Sequence, residues 1–181
     1  HAQMEPAMFD KIIRAMVDKN LHWSTTWATW FRPLSSHAPS MKQRELTLLR
    51  NPNLKYLSPY ILKDTESFFA KYEKLAPEKR KEVVGGFRML QEFVRKFIAA
   101  GGKIHSGSDP NHVVPGYAVH AELEMLVEAG LTPVQAIRTA ALNVAEAWGK
   151  EKDFGSVETG KVADLIIVGG GPERDSLEGL A

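Results

Sequence analysis

The sequence has no cysteine among its 181 residues, which removes disulfides, thiol nucleophiles and thiolate metal sites together. It has no excess of either charge, since 23 basic and 22 acidic residues leave a formal net charge of +1. With the signs interspersed, nothing marks a surface for nucleic acid or another polyanion. No apolar run approaches the roughly 20 residues of a membrane helix, and no basic-then-apolar stretch opens the chain as a signal peptide would. Internal repeats and low-complexity tracts are lacking too. The glycine pairs at 85–86 and 101–102 and the triplet at 169–171 do not follow a phosphate-loop pattern and read as breaks and turns. What remains is a soluble chain, expected to be cytoplasmic rather than periplasmic or secreted. Its 44% hydrophobic content is ample for one core.

Apolar spacing then gives an order of elements. From Pro6 to Asn20, residues Met8, Phe9, Ile12, Ile13, Met16 and Val17 form one helical stripe, and Leu21 to Thr26 has the composition of a short strand. The segment from Trp27 to Asp64 is less regular. A helix is expected over 41–50, while Asn51-Pro52-Asn53 and Ser58-Pro59 read as irregular chain. A short helix over 65–74 and a long one over 77–100 follow, then a strand at 103–107 running into Ser108-Asp109-Pro110. Tyr117 to Ala129 reads as a helix closed by Gly130, and Thr132-Pro133-Val134-Gln135 opens another that runs to Trp148. Val162 to Val168 is an apolar strand. Strands alternating with helices predict an α/β fold with parallel strands. So few strands cannot bury both faces of a sheet, so the chain reads as part of something larger or as one that needs a partner. It also opens at His1 without an initiator methionine, and the expectation is that a preceding segment has been removed.

In parallel α/β folds, ligands gather at the carboxyl ends of strands. Asp109 stands at such an end, beside Ser106, Gly107 and Ser108. Taken alone, Ser108-Asp109-Pro110 is ordinary turn chemistry, and Asp109 reads there as a loop cap. His112 follows in a loop that should border the same pocket, where it could touch substrate. Trp27, Trp30, Phe31 and Arg32 follow the first strand and are expected near the pocket mouth. Trp27 and Arg32 would offer an aromatic wall and a guanidinium to a substrate with an apolar side chain and a carboxylate, as a dipeptide has. For the tryptophans, packing of a hydrophobic loop on its neighbour is the alternative. His22 and His105 lie within strands and read as packed rings, and His37 reads as a surface residue.

The C-terminal half carries several segments in a fixed order: Gly107-Ser108-Asp109, Pro115-Gly116, His120-Ala121-Glu122-Leu123, Ala129-Gly130-Leu131-Thr132-Pro133, Ala136 to Asn143, and Gly155 to Leu165. Together these resemble the C-terminal signature of the amidohydrolase superfamily, especially its imidazolonepropionase-like and prolidase-like branch. The resemblance is specific over residues 101–175 and weaker over 1–60. It implies the C-terminal part of a (β/α)8 barrel over residues 1–150. Residues 151–181 would return to a small composite β-sandwich, with Asp164 a structural turn carboxylate. Asp109 matches the aspartate closing the last barrel strand, which binds metal and takes a proton from the attacking water. His1 falls about where a metal-binding histidine ends the sixth strand, or else is a frayed terminus or tag remnant. His120 and Glu122 would anchor loops behind the site. Spacing equally permits His120 and Glu124 to be a helical surface pair.

The family's His-x-His pair, its bridging lysine or acid and its middle-strand histidine have no counterpart here. A catalytic metal takes at least three protein ligands, and Asp109 with His1 gives two. A full barrel needs about 250 residues. The resemblance therefore implies a hydrolase of amide-type C–N bonds, dipeptides among them, using one or two divalent ions, zinc being expected, with most ligands outside this chain. Its partners would be a small-molecule substrate and the missing N-terminal half or a second chain, with a homo-oligomer also open; the piece alone is expected to be inactive. The other expectation is a non-catalytic α/β binding module that has kept the scaffold.

Overall fold

A single turn of 3-10 helix, Pro6–Met8, leads into α1 (Phe9–Asp18), and Asn20, at φ +47°, turns the chain into β1 (His22–Ser24). The computed structural model describes residues 5–109 and 113–167. After β1 come α2 (Trp27–Phe31), a 3-10 turn at Arg32–Leu34, and α3 (Ala38–Leu48). A further 3-10 turn, α4 (Pro59–Glu73) and α5 (Pro77–Ala99) lead to β2 (Lys103–His105). Then follow α6 (Tyr117–Glu128), α7 (Pro133–Ala140) and α8 (Leu142–Ala147).

Three expected boundaries move, each for a local reason. The helix expected over 65–74 begins at Pro59, because Ser58 caps it: its Oγ accepts from the Tyr60 amide at 3.3 Å, and proline fits the first turn. The helix expected to run to Trp148 is two. Thr132 and Gln135 do form a reciprocal capping box, but Ala141, at φ −128° and ψ −91°, breaks the helix they start. On either side of the break the chain is tied to β2 and its extension. The Ser106 amide donates to the Thr139 carbonyl at 3.0 Å, and Asn143 Nδ2 donates to the Ile104 carbonyl at 2.7 Å. The last expected strand does not form over 162–167. A strand needs a neighbour to take its rows of amides and carbonyls, and among the described residues the sheet has two strands only. Leu165, Ile166 and Ile167 stand exposed.

The two strands pair in parallel, His22 with Lys103, Trp23 with Ile104 and Ser24 with His105. Side chains alternate across a strand. Trp23 turns to α5, where its ring meets Phe93 edge-on at 5.3 Å, and Ile104 joins the same core. The other face carries His22, Ser24, Lys103 and His105, all half-buried and polar. Phe9, Phe87, Val94, Phe97, Met125 and Leu126 fill the core between α1, α5 and α6. A smaller cluster, Ala28, Val113, Val114, Tyr117, Ala118 and Ala121, packs α2 against the start of α6. The α/β order and parallel pairing are as expected, while two strands do not by themselves close a barrel. No helix among the described residues is long and apolar enough to cross a membrane.

Candidate active site

The carboxyl ends of β1 and β2 lie side by side, and the chain is unusual at both. Thr26, just past β1, has φ +48°, and Asp109, past β2, has φ +33°. A non-glycine residue in the left-handed region costs on the order of 1–3 kcal/mol and persists only where its surroundings enforce it. Gly107 shows how close the two ends come: a Cβ there would overlap Ser24 Oγ and stand 2.7 Å from Thr26 Cγ2.

Thr29 supplies the enforcement at Asp109. It is fully buried on α2, and its hydroxyl donates to the carbonyl oxygens of Ser108, at 2.7 Å, and of Asp109. The backbone of Asp109 is thereby held while the residue itself is exposed. Sequence reading missed Thr29. The available signal was the threonine-rich run Thr25, Thr26 and Thr29 immediately beyond a strand end.

Glu122, on α6, is fully buried beneath the same loop. Its carboxylate accepts from Thr25 Oγ1 and, at 2.6 Å, from the Ala28 amide. Burial pushes its pKa up to about 7, against hydrogen bonds from Thr25 and the Ala28 and Trp27 amides that favour the charged form. Thr26, which precedes α2, gives no side-chain cap. Glu122 does that work from 94 residues away in sequence, its carboxyl oxygens accepting from the first amides of the helix.

Other expected site residues are not brought to this place. Trp27 is in the core, 1% exposed, with its ring edge-on to Phe87 at 5.4 Å. Arg32 is 0% exposed rather than at a pocket mouth. Its Nε donates to Glu45 Oε1 at 2.5 Å and Nη2 to Glu45 Oε2 at 3.2 Å, Nη1 donates to the Ala28 carbonyl, and Phe68 and Phe69 lie over the guanidinium. The cause is the helical conformation of 27–34, which turns these residues inward where a loop would have left them at the rim. His120 is half-buried on α6 and lines a cavity of about 380 Å³ with Arg44, Leu48, Leu54, Val114 and Tyr117; Asp109 does not line it. Glu124 pairs with Arg44 at 2.5 Å rather than with His120. His1 and His112 lie outside the described residues.

The model of the Amidohydrolase family matches residues 3–181. The chain belongs to the amidohydrolase family. It is similar to an imidazolonepropionase of Symbiobacterium thermophilum, 37% identical over 76 residues that cover 41% of this chain and 18% of that protein. It is similar to adenine deaminase 3 of Rhizobium meliloti, 34% identical over 73 residues, 40% of this chain and 12% of the relative. An imidazolonepropionase of Acinetobacter baumannii is 34% identical over 91 residues, 45% and 22% of the two lengths. The matched stretches thus span about a fifth or less of these relatives.

The metal of an amidohydrolase needs a set of ligands, and the described residues do not provide it. No group of three His, Cys, Asp or Glu side chains among them could hold an ion. Asp109 offers one suitable oxygen donor.

Proposed function

We propose that this amidohydrolase chain carries the proton-transfer end of a hydrolytic site for amide-type C–N bonds, with Asp109 as its working carboxylate. The observation that carries the reading is the backbone of Asp109, left-handed, held by Thr29 and set at the carboxyl end of a parallel strand. An exposed carboxylate in that position can take the proton of an attacking water as its oxygen bonds to the carbonyl carbon. The same proton then passes to the departing nitrogen as the C–N bond breaks, so that charge and atoms balance.

A divalent ion, zinc by the chemistry of the class, would polarise the carbonyl and ease deprotonation of the water. Its remaining ligands would come from outside the described residues: His1 of this chain is one candidate, and an N-terminal half of the barrel or a second chain would supply the others. The substrate is a small molecule. The relatives' names mention an imidazolone and adenine, so nitrogen heterocycles belong on the panel beside dipeptides, for which Trp27 and Arg32, inside the core, no longer argue.

The test is metal content by elemental mass spectrometry on the full chain purified without chelator, followed by that substrate panel with Asp109→Asn. Loss of turnover by at least about 100-fold in the Asn variant, the scale of a general base, supports the reading. Turnover at the parent rate in Asp109→Asn would overturn it. No metal and no turnover would leave two readings, a hydrolase chain that needs the rest of its barrel and the non-catalytic binding module.

A further inference from the structure

Helix α2 has five residues and no side-chain cap of its own, yet it supports the only threonine that reaches the Ser108 and Asp109 carbonyls among the described residues. Left to itself, a threonine in a helix tends to return its proton to the carbonyl one turn back. Thr29 instead reaches across to the end of β2, 79 and 80 residues away in sequence. The direction of that reach depends on where α2 sits. Glu122 sets it, binding the Ala28 amide and the Thr25 hydroxyl from α6.

We infer that Thr29 and Glu122 are positioning residues for Asp109: Glu122 fixes α2, and the Thr29 hydroxyl clamps the backbone whose left-handed turn aims the Asp109 carboxylate. The inference rests on the reading of Asp109 as the working carboxylate. Its physical basis is that aspartate, although the left-handed region is more open to it than to most residues, favours negative φ where no contact holds the turn. Without the hydroxyl, φ at Asp109 relaxes toward negative values, the Cα–Cβ bond swings, and the carboxylate leaves its place. Misplacement of a reacting group by about 1 Å can cost as much as 100-fold in rate.

The test uses Thr29→Val, which removes the hydroxyl and keeps the shape, and Thr29→Ser, which restores it. In the full chain labelled with 13C-aspartate, the Asp109 Cα and carbonyl resonances report backbone conformation independently of turnover. The expected result is that Thr29→Val moves them out of the left-handed range and lowers kcat about 10-fold, with KM within about twofold. Thr29→Ser should restore both. Unchanged Asp109 resonances in a folded Thr29→Val would overturn the inference. So would moved resonances with an unchanged kcat, provided Asp109→Asn is itself impaired. If Asp109→Asn turns over normally, the reading of Asp109 has failed; in that case, or where the chain by itself has no turnover, the resonances alone judge the clamp. Should Thr29→Val not fold, Glu122→Gln takes its place; it keeps the size and one acceptor, and Asp109 resonances unmoved in it would overturn the coupling through α2.

Discussion

Arg32 and Glu45 form a bidentate ion pair inside the core, with side chains 0% and 1% exposed and a shortest contact of 2.5 Å. Phe68 and Phe69 cover the guanidinium at 5.1 and 5.4 Å from the ring centres. The pair ties the turn after α2 to α3. Since two charges are removed from water together, the arrangement is stable only while both are present.

Arg32→Met is therefore expected to cost about 3–5 kcal/mol by leaving a buried carboxylate uncompensated. The double variant Arg32→Met with Glu45→Leu should recover most of that. Urea denaturation of the three proteins measures it. A single variant of parental stability with a raised KM would instead place Arg32 at the substrate.

Glu122 makes stability depend on pH. Its folded pKa, about 7, lies above the ordinary carboxyl value of 4.5, so the folded chain binds more protons than the unfolded one between those values. The stability it contributes is fully present below pH 4.5 and is lost as pH rises through 7, on the order of 3 kcal/mol in all. Denaturation midpoints should fall from pH 5 to pH 8, and fall less in Glu122→Gln. An equal fall in both proteins would mean that Glu122 does not titrate in this window.

Two glycines should respond with opposite sign to alanine. At Gly107 the new Cβ meets Ser24 and Thr26, so Gly107→Ala forces the two strand ends apart and should cost about 1–3 kcal/mol. Gly85 lies within α5 with nothing within 4 Å of its would-be Cβ. Gly85→Ala should stabilise by about 0.5–1 kcal/mol through helix propensity and a less free unfolded chain. Thermal midpoints of the pair check both signs.

The capping box at α7 offers a local test. Thr132→Ala removes the acceptor for the Gln135 amide, now 3.2 Å from Thr132 Oγ1, and should cost about 1 kcal/mol. A loss below about 0.3 kcal/mol would show that the break at Ala141, and not the cap, governs this helix.

The sequence by itself determined the features that depend on neighbours along the chain. The apolar stripes of α1 and α5, the capping box of Thr132 and Gln135 and the parallel α/β order are written in short-range spacing and turn chemistry. The placement of Asp109 after a strand is legible in the same way, and its family match follows from ordered motifs. What only tertiary structure decided is how residues far apart in sequence meet. Thr29 became a clamp because β1 and β2 pair in parallel and bring residue 29 to residues 108 and 109. Arg32 turned inward because the chain after β1 coils into helix and a buried carboxylate from α3 was there to receive it. The segment 162–167, apolar enough for a strand, stayed without a ladder, because strand pairing requires a second backbone and composition supplies only one.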